Sequence, residues 1–197
     1  MFKAKEELRE KARQDFSGAL NRIQTPPSEA MLHGREFESL VTDIVKNPLC
    51  ERPAGKWLAG AGAIAKLINP DGIYNEDFSQ VKFNRKITIN GTDYLLYGIL
   101  DWLCGATIYD IKFKESLSGS YDVGHYRDNT QHRMYFELIP DADTFVYLIS
   151  DGRRVYREEY RRSECRPIKE TIGEFEEWLK IYDMWDTYCD KWKCRYS

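Results

Sequence analysis

The chain has 197 residues, of which 42% are hydrophobic and 31% charged, and it carries a net charge of −3. That is enough chain for one well-cored globular domain and too little for two of ordinary size. The balance argues against a disordered tail and against a protein that coats nucleic acid by bulk positive charge, although it leaves room for one basic groove.

No apolar run approaches the roughly 18–20 residues of a membrane span; the longest, Trp57 to Ile68, is broken by Gly60, Gly62 and Lys66. The opening stretch MFKAKEELREKARQ is charged throughout and lacks the apolar core of a signal peptide. A cytoplasmic protein without membrane partners is the expectation. Five cysteines with no CxxC spacing argue against a disulfide framework.

Along the chain, Leu8, Ala12, Phe16, Leu20 and Ile23 recur at helical spacing. Thr25-Pro26-Pro27-Ser28 then separates this N-terminal helix and linker (1–27) from a body spanning 28–197. A second helix is expected to start near Gly34, with Phe37, Leu40, Val41, Ile44 and Val45 on its apolar face. It should end at Asn47-Pro48, because proline disfavours helix at the residue before it. A third helical stretch lies between Pro53 and Asn69.

The period then changes. Val81, Phe83, Ile87 and Ile89 alternate, Asn90-Gly91 is a hairpin signal, and Thr92–Leu103 reads as the partner strand. Ala106–Phe113 is a third strand after the turn at Gly105. A long helix is expected over Tyr121–Leu138. Thr144–Ile149 and Arg154–Tyr160 form a strand pair around Asp151-Gly152. The tail from Ile168 to Tyr188 is helical by pattern. The order predicts an α/β protein with a central mixed β-sheet flanked by helices.

The segment YGILDWLCGATIYDIKFK carries the chemistry. Asp101 and Asp110 lie on adjacent strands, and Lys112, two positions beyond Asp110, projects from the same face. Hard divalent cations take carboxylate oxygens. Phosphodiester hydrolysis also needs a positive group to orient or activate water and to offset developing charge. Two carboxylates and a lysine on a β-hairpin supply that set.

Gly98-Ile99-Leu100-Asp101, followed by Ile108-Tyr109-Asp110-Ile111-Lys112, resembles the PD-(D/E)XK nuclease superfamily, without the proline of its name. Upstream, Gly34-Arg35-Glu36-Phe37-Glu38-Ser39-Leu40-Val41 is similar to its G-x-x-F-E-x-L-V helix. Downstream, Gln131-His132-Arg133-Met134-Tyr135 resembles the Q-x-x-x-Y of the RecB-like, phage-type exonuclease branch. The resemblance covers residues 34–135.

It implies a restriction-endonuclease-like core and a metal-dependent deoxyribonuclease. Glu38, Asp101, Asp110 and the Ile111 carbonyl would hold one or two magnesium or manganese ions. Lys112 would position or deprotonate water, and Gln131 and Tyr135, four apart on one helical face, would support Lys112 and the DNA end. Lys114, Arg127 and Arg133 are the nearest candidates for DNA backbone contacts. The run Arg153, Arg154, Arg157, Arg161, Arg162 and Arg166 is a further possible groove lining, diluted by Glu158 and Glu159.

RecB-like relatives often use a histidine from the first helix. His33 stands just before Gly34, so Glu38 is preferred to His33 or Glu36 as the ligand. Some relatives bind an iron–sulfur cluster through four cysteines; Cys50, Cys165, Cys189 and Cys194 lack the close spacing, so none is expected. His125 and His132 could touch phosphate but read more simply as structural or exposed. An exonuclease of recombination or repair, phage or prophage derived, is the expectation, with DNA, a recombination or single-strand-binding protein and further copies of the chain as partners. A structure-specific endonuclease and a non-catalytic DNA-binding protein of the same fold are the alternatives.

Overall fold

A computed structural model describes residue 11 and residues 14–52, 54–71, 79–117 and 124–193. The chain divides into two compact units. One gathers 28–87 and 95–168, and the other gathers 1–27, 88–94 and 169–197.

The larger unit is built on a five-stranded sheet in the order β1 (Ser79–Ile89), β2 (Thr92–Cys104), β3 (Thr107–Phe113), β4 (Thr144–Ser150) and β5 (Val155–Arg161). β2 with β3 and β4 with β5 are antiparallel, whereas β3 and β4 run parallel. A parallel neighbour requires a crossover, and helix α3 (Thr130–Leu138) lies within it. The fold is therefore mixed α/β. β4, TFVYLIS, is apolar along nearly its whole length and buried from Phe145 to Ser150, as a strand covered on both faces must be.

The sheet's alternation sorts its side chains. Trp102, Ile111, Val146 and Leu148 face the helices α1 (Glu29–Lys46) and α2 (Leu58–Ile68), joining Phe37, Val41, Val45, Ala61, Ile64, Ala65 and Ile68 in one core cluster. Each such fully buried Phe, Ile or Leu contributes about 1.5–3 kcal/mol by leaving water. The opposite face carries Ile108 beside Phe145, and Asp110 beside Tyr147. Phe145 there meets the rings of His132, Tyr135 and Phe136 from α3. Asp110 and Lys112 thus lie on the α3 side, two polar residues in a largely aromatic layer.

Helix starts differ from the periodic reading because caps decide them. α1 begins at Glu29, not near Gly34, since the Ser28 hydroxyl accepts the Met31 N–H at 3.3 Å. α2 begins at Leu58, not Pro53, because Trp57 before it sits at φ 72°. The helix expected from Tyr121 starts at Thr130, where the Asn129 side chain accepts the Gln131 N–H at 2.9 Å; residues 124–128 are turn, and 121–123 lie outside the described residues.

In the smaller unit, residues 14–20 are helical. The tail forms two helices rather than one, α4 (Ile168–Ile181) and α5 (Trp185–Lys191). They part at Asp183, left-handed at φ 54°, where the Met184 N–H returns to the Leu179 carbonyl at 2.8 Å in a Schellman-type stop. Phe16 packs edge-on against Phe175 and Trp178. Among the described residues no helix is long and apolar enough to cross a membrane.

Candidate active site

The site lies where β2 and β3 part. Their pairing runs from Cys104–Thr107 to Trp102–Tyr109 and stops. The next opposed residues in that register are Asp101 and Asp110. In place of a ladder bond, Asp101 Oδ2 accepts the Ile111 N–H at 2.8 Å. Within a strand, a residue's N–H and carbonyl point to the same edge, so the Ile111 carbonyl is turned toward this parted edge as well. Asp101 Oδ1 accepts from the Gln80 side-chain amide at 3.3 Å. Burial raises the Asp101 carboxyl above the usual range, against the opposing pull of the Ile111 N–H, Lys112 and Gln80.

Asp110 is only 6% exposed. Its Oδ1 accepts from the Gln131 amide at 2.5 Å. Its buried Oδ2 is paired with Lys112 Nζ at 2.7 Å. Burial, and then the charge of Asp101, push the Asp110 carboxyl well above its ordinary range, with Lys112 and Gln131 pulling the other way.

Glu38, half-buried on α1, belongs to the same field. Burial first, and then Asp101 and Asp110, raise it to about 7, while Lys112 and Arg35 lower it. The site thus gathers three carboxylates against one close ammonium, in surroundings that penalise their charge. Glu36 is exposed, and His33 Nδ1 lies 2.7 Å from Glu115 instead. Of the three α1 candidates, Glu38 is the one that the structure ties to Asp101, Asp110 and Lys112.

Among the described residues no three His, Cys, Asp or Glu side chains are close enough to clasp an ion as they stand. The donor set is nonetheless all oxygen, as magnesium and manganese require. Each carboxylate oxygen of Asp101 and Asp110 meets one donor and keeps a further lone pair that a cation could take. The residues present fit such an ion.

α3 holds this arrangement through two side chains with different tasks. Gln131 reaches Asp110 rather than Lys112. Tyr135, 5% exposed, donates its hydroxyl to the Ile99 carbonyl on β2 and is too buried to meet a DNA end. A Cβ at Gly98 would stand 2.9 Å from Tyr135 Cε1 and 3.0 Å from Leu138 Cδ1. Glycine at that position is what lets the Tyr135 ring lie on β2. The Gly98 and Tyr135 motif positions therefore meet as a packing pair that fixes the strand carrying Asp101.

Of the expected DNA contacts, Lys114 stands with its ammonium 5.4 Å from the Tyr126 ring centroid, Arg127 is exposed, and Arg133 donates to the Asp128 carbonyl at 3.0 Å. Tyr126 stacks on Tyr147 with centroids 4.4 Å apart and has Asp110 acting on its phenol, which puts Lys114 and Tyr126 at the border of the site. The arginine run is largely spoken for. Arg154 pairs with Asp151, Arg157 and Arg161 pair with Glu159, and Arg162 clamps the carbonyls of Phe136, Ile139 and Ala142.

His132, 1% exposed, stacks on Tyr160 and lies 3.2 Å from the Tyr147 hydroxyl, so it does not touch phosphate. His125 is exposed. Cys50, Cys165 and Cys189 are free thiols; Cys194 lies outside the described residues.

Two contributors escaped the motif reading. Gln80 carries no signal in the sequence. Glu158 reads as a charge diluting arginines, yet it is 4% exposed and accepts the N–H groups of Gly124, His125 and Tyr126 at 3.2 Å each, and the Tyr160 hydroxyl at 2.5 Å. It fixes the turn that carries Tyr126. Its place between Tyr156 and Tyr160 on one face of the expected strand was its only sequence clue.

No family model matches the chain, and no curated protein does. A solved structure described as "Crystal structure of SSO0001" aligns with a TM-score of 0.42 at 15% identity, covering 77% of this chain and 88% of that one. Likeness at that level carries no functional argument.

Proposed function

We propose that the chain is a divalent-metal-dependent DNA nuclease of the PD-(D/E)XK type. The observation that carries this reading is the cluster at the parted β2–β3 edge. Asp101 takes the Ile111 N–H there, Lys112 pairs with Asp110 at 2.7 Å, and the charges of Asp101, Asp110 and Lys112 all act on Glu38.

On this reading Glu38, Asp101, Asp110 and the Ile111 carbonyl hold magnesium or manganese. When bound, the metal supplies Lewis-acid stabilisation of the phosphate and its leaving 3′ oxygen. Lys112 turns its ammonium to the attacking water and to the negative charge that grows on the phosphate. Gln131 keeps Asp110 in its rotamer, and Tyr135 with Gly98 keeps β2 in place. Lys114 supplies positive charge for the DNA backbone at the border of the site, with Arg127 and Arg133 as further candidates on the 124–133 stretch; such contacts make affinity fall with salt.

An exonuclease of recombination or repair, cytoplasmic and phage or prophage derived, is the biological setting we assign. A recombination or single-strand-binding protein and further copies of this chain are its proposed partners. The test is incubation with linear and closed circular DNA in magnesium, manganese or EDTA. Metal-dependent loss of linear DNA alone is the expected result. Nicking of circles turns the reading to an endonuclease, and binding without cleavage in any metal leaves a non-catalytic DNA-binding protein.

A further inference from the structure

Gln80 is the one residue of β1 whose backbone is left-handed, at φ 53°. Glutamine has a Cβ and lacks the short polar side chain that lets Asn or Asp tolerate this region, so the conformation is strained. Strained non-glycine residues held in place by their surroundings cluster at functional sites. Here the strain accompanies a specific aim. A left-handed residue inside a strand redirects its side chain, as at a bulge, and the Gln80 amide lies 3.3 Å from Asp101 Oδ1.

We infer that Gln80 is a positioning residue for a divalent cation at Asp101, matching what Gln131 does at Asp110. The inference rests on the metal-dependent reading above. Both carboxylates are held by a neutral carboxamide, one from β1 and one from α3. A carboxylate oxygen has two lone pairs, so one accepted hydrogen bond leaves the other free for a metal. A carboxamide fixes the rotamer without cancelling charge, whereas an Arg or Lys in its place would neutralise the cluster that has to attract the ion. Donors of this kind, one shell out from the metal, commonly set affinity by a factor of ten to a hundred.

The test titrates manganese into wild-type protein, Gln80→Asn and Gln80→Ala by calorimetry, with thermal unfolding measured on each. Asparagine accepts a positive φ more readily than glutamine but is one methylene too short to reach Asp101. Gln80→Asn is therefore expected to keep the wild-type Tm and to bind manganese about 10-fold more weakly, with Gln80→Ala weakened at least as much. Wild-type manganese affinity in both variants overturns the inference and leaves the nuclease reading standing. A lower Tm for Gln80→Asn with unchanged affinity also overturns it, by making Gln80 a merely structural residue. A wild-type protein that binds no manganese overturns both readings together.

Discussion

Glu158 and Asp110 are both buried acids in the same unit, 4% and 6% exposed, and their surroundings treat them differently. Glu158 has three backbone N–H groups and a tyrosine hydroxyl around its two oxygens. In the smaller unit Glu176, 1% exposed, is likewise provided for by Lys180 and the Tyr94 hydroxyl. Burial raises the Glu176 carboxyl, but these partners outweigh it and hold it below its ordinary range. Asp110 has one amide and one ammonium, but it stands beside Asp101, raised by burial, and Glu38, raised by burial and then by Asp101 and Asp110. A carboxylate that serves the fold is matched donor for donor, because an unmatched buried charge is expensive. Asp110 has a donor on each oxygen too, but two more carboxylates crowd it, and we propose that the positive charge they call for comes from a bound cation.

Breaking the one internal counter-ion has the largest expected effect. Lys112→Ala is expected to abolish metal-dependent cleavage of linear DNA and to lower stability in EDTA by roughly 2–4 kcal/mol, since it strips the charge partner from a buried Asp110. Denaturant unfolding and the DNA assay check the two halves. A Lys112→Ala protein that cuts at the wild-type rate contradicts the nuclease reading.

Glu158→Gln sharpens the other side of the comparison. An amide cannot accept every donor that the carboxylate takes, so a loss of about 1–3 kcal/mol is expected. Manganese should not restore it, and denaturant unfolding with and without the ion reads both. If manganese fully rescues Glu158→Gln, the separation between the two kinds of carboxylate fails.

The smallest effect is a pH slope. Glu38 is raised from 4.5 to about 7, so between those values the folded protein binds more protons than the unfolded chain. Stability in EDTA should therefore fall as pH rises from about 4.5 to about 7 and level off above. Glu38→Gln should lose this component of the slope and be the more stable protein above pH 7. His132, lowered by burial to about 4 from 6.5, tilts stability the opposite way, and the difference between wild type and Glu38→Gln removes that background. Tm against pH for the two proteins checks the sign.

Much of the fold was legible because its signals are local and periodic. Asn90-Gly91 and Gly105 marked the turns between β1, β2 and β3, and the apolar run of β4 marked a strand covered on both faces. Asp110, Ile111 and Lys112 could be placed on one strand by period alone. What the sequence withheld depends on contacts between distant segments. α3 is short because Asn129 caps it and because Glu158, 34 positions beyond Gly124, ties up the turn before it. Period cannot register either fact. Tyr135 was read as a contact for Lys112 or DNA, since helical spacing gives a shared face but not its neighbour; the packing against Gly98 turns it into a strand anchor. Gln80 was invisible, because its aim depends on a backbone angle that no residue type announces.

The central claim, that this cluster is completed by a divalent cation, is tested most directly by thermal unfolding of wild type and Asp110→Asn across a manganese titration at pH 7.5. A ligand that binds only the folded state raises Tm with its concentration. The wild-type Tm should climb with manganese, while Asp110→Asn, relieved of one repelling charge, should match or exceed the wild-type Tm in EDTA and respond little to the ion. A wild-type Tm that ignores manganese, or an Asp110→Asn protein that gains as much from it, would contradict the account.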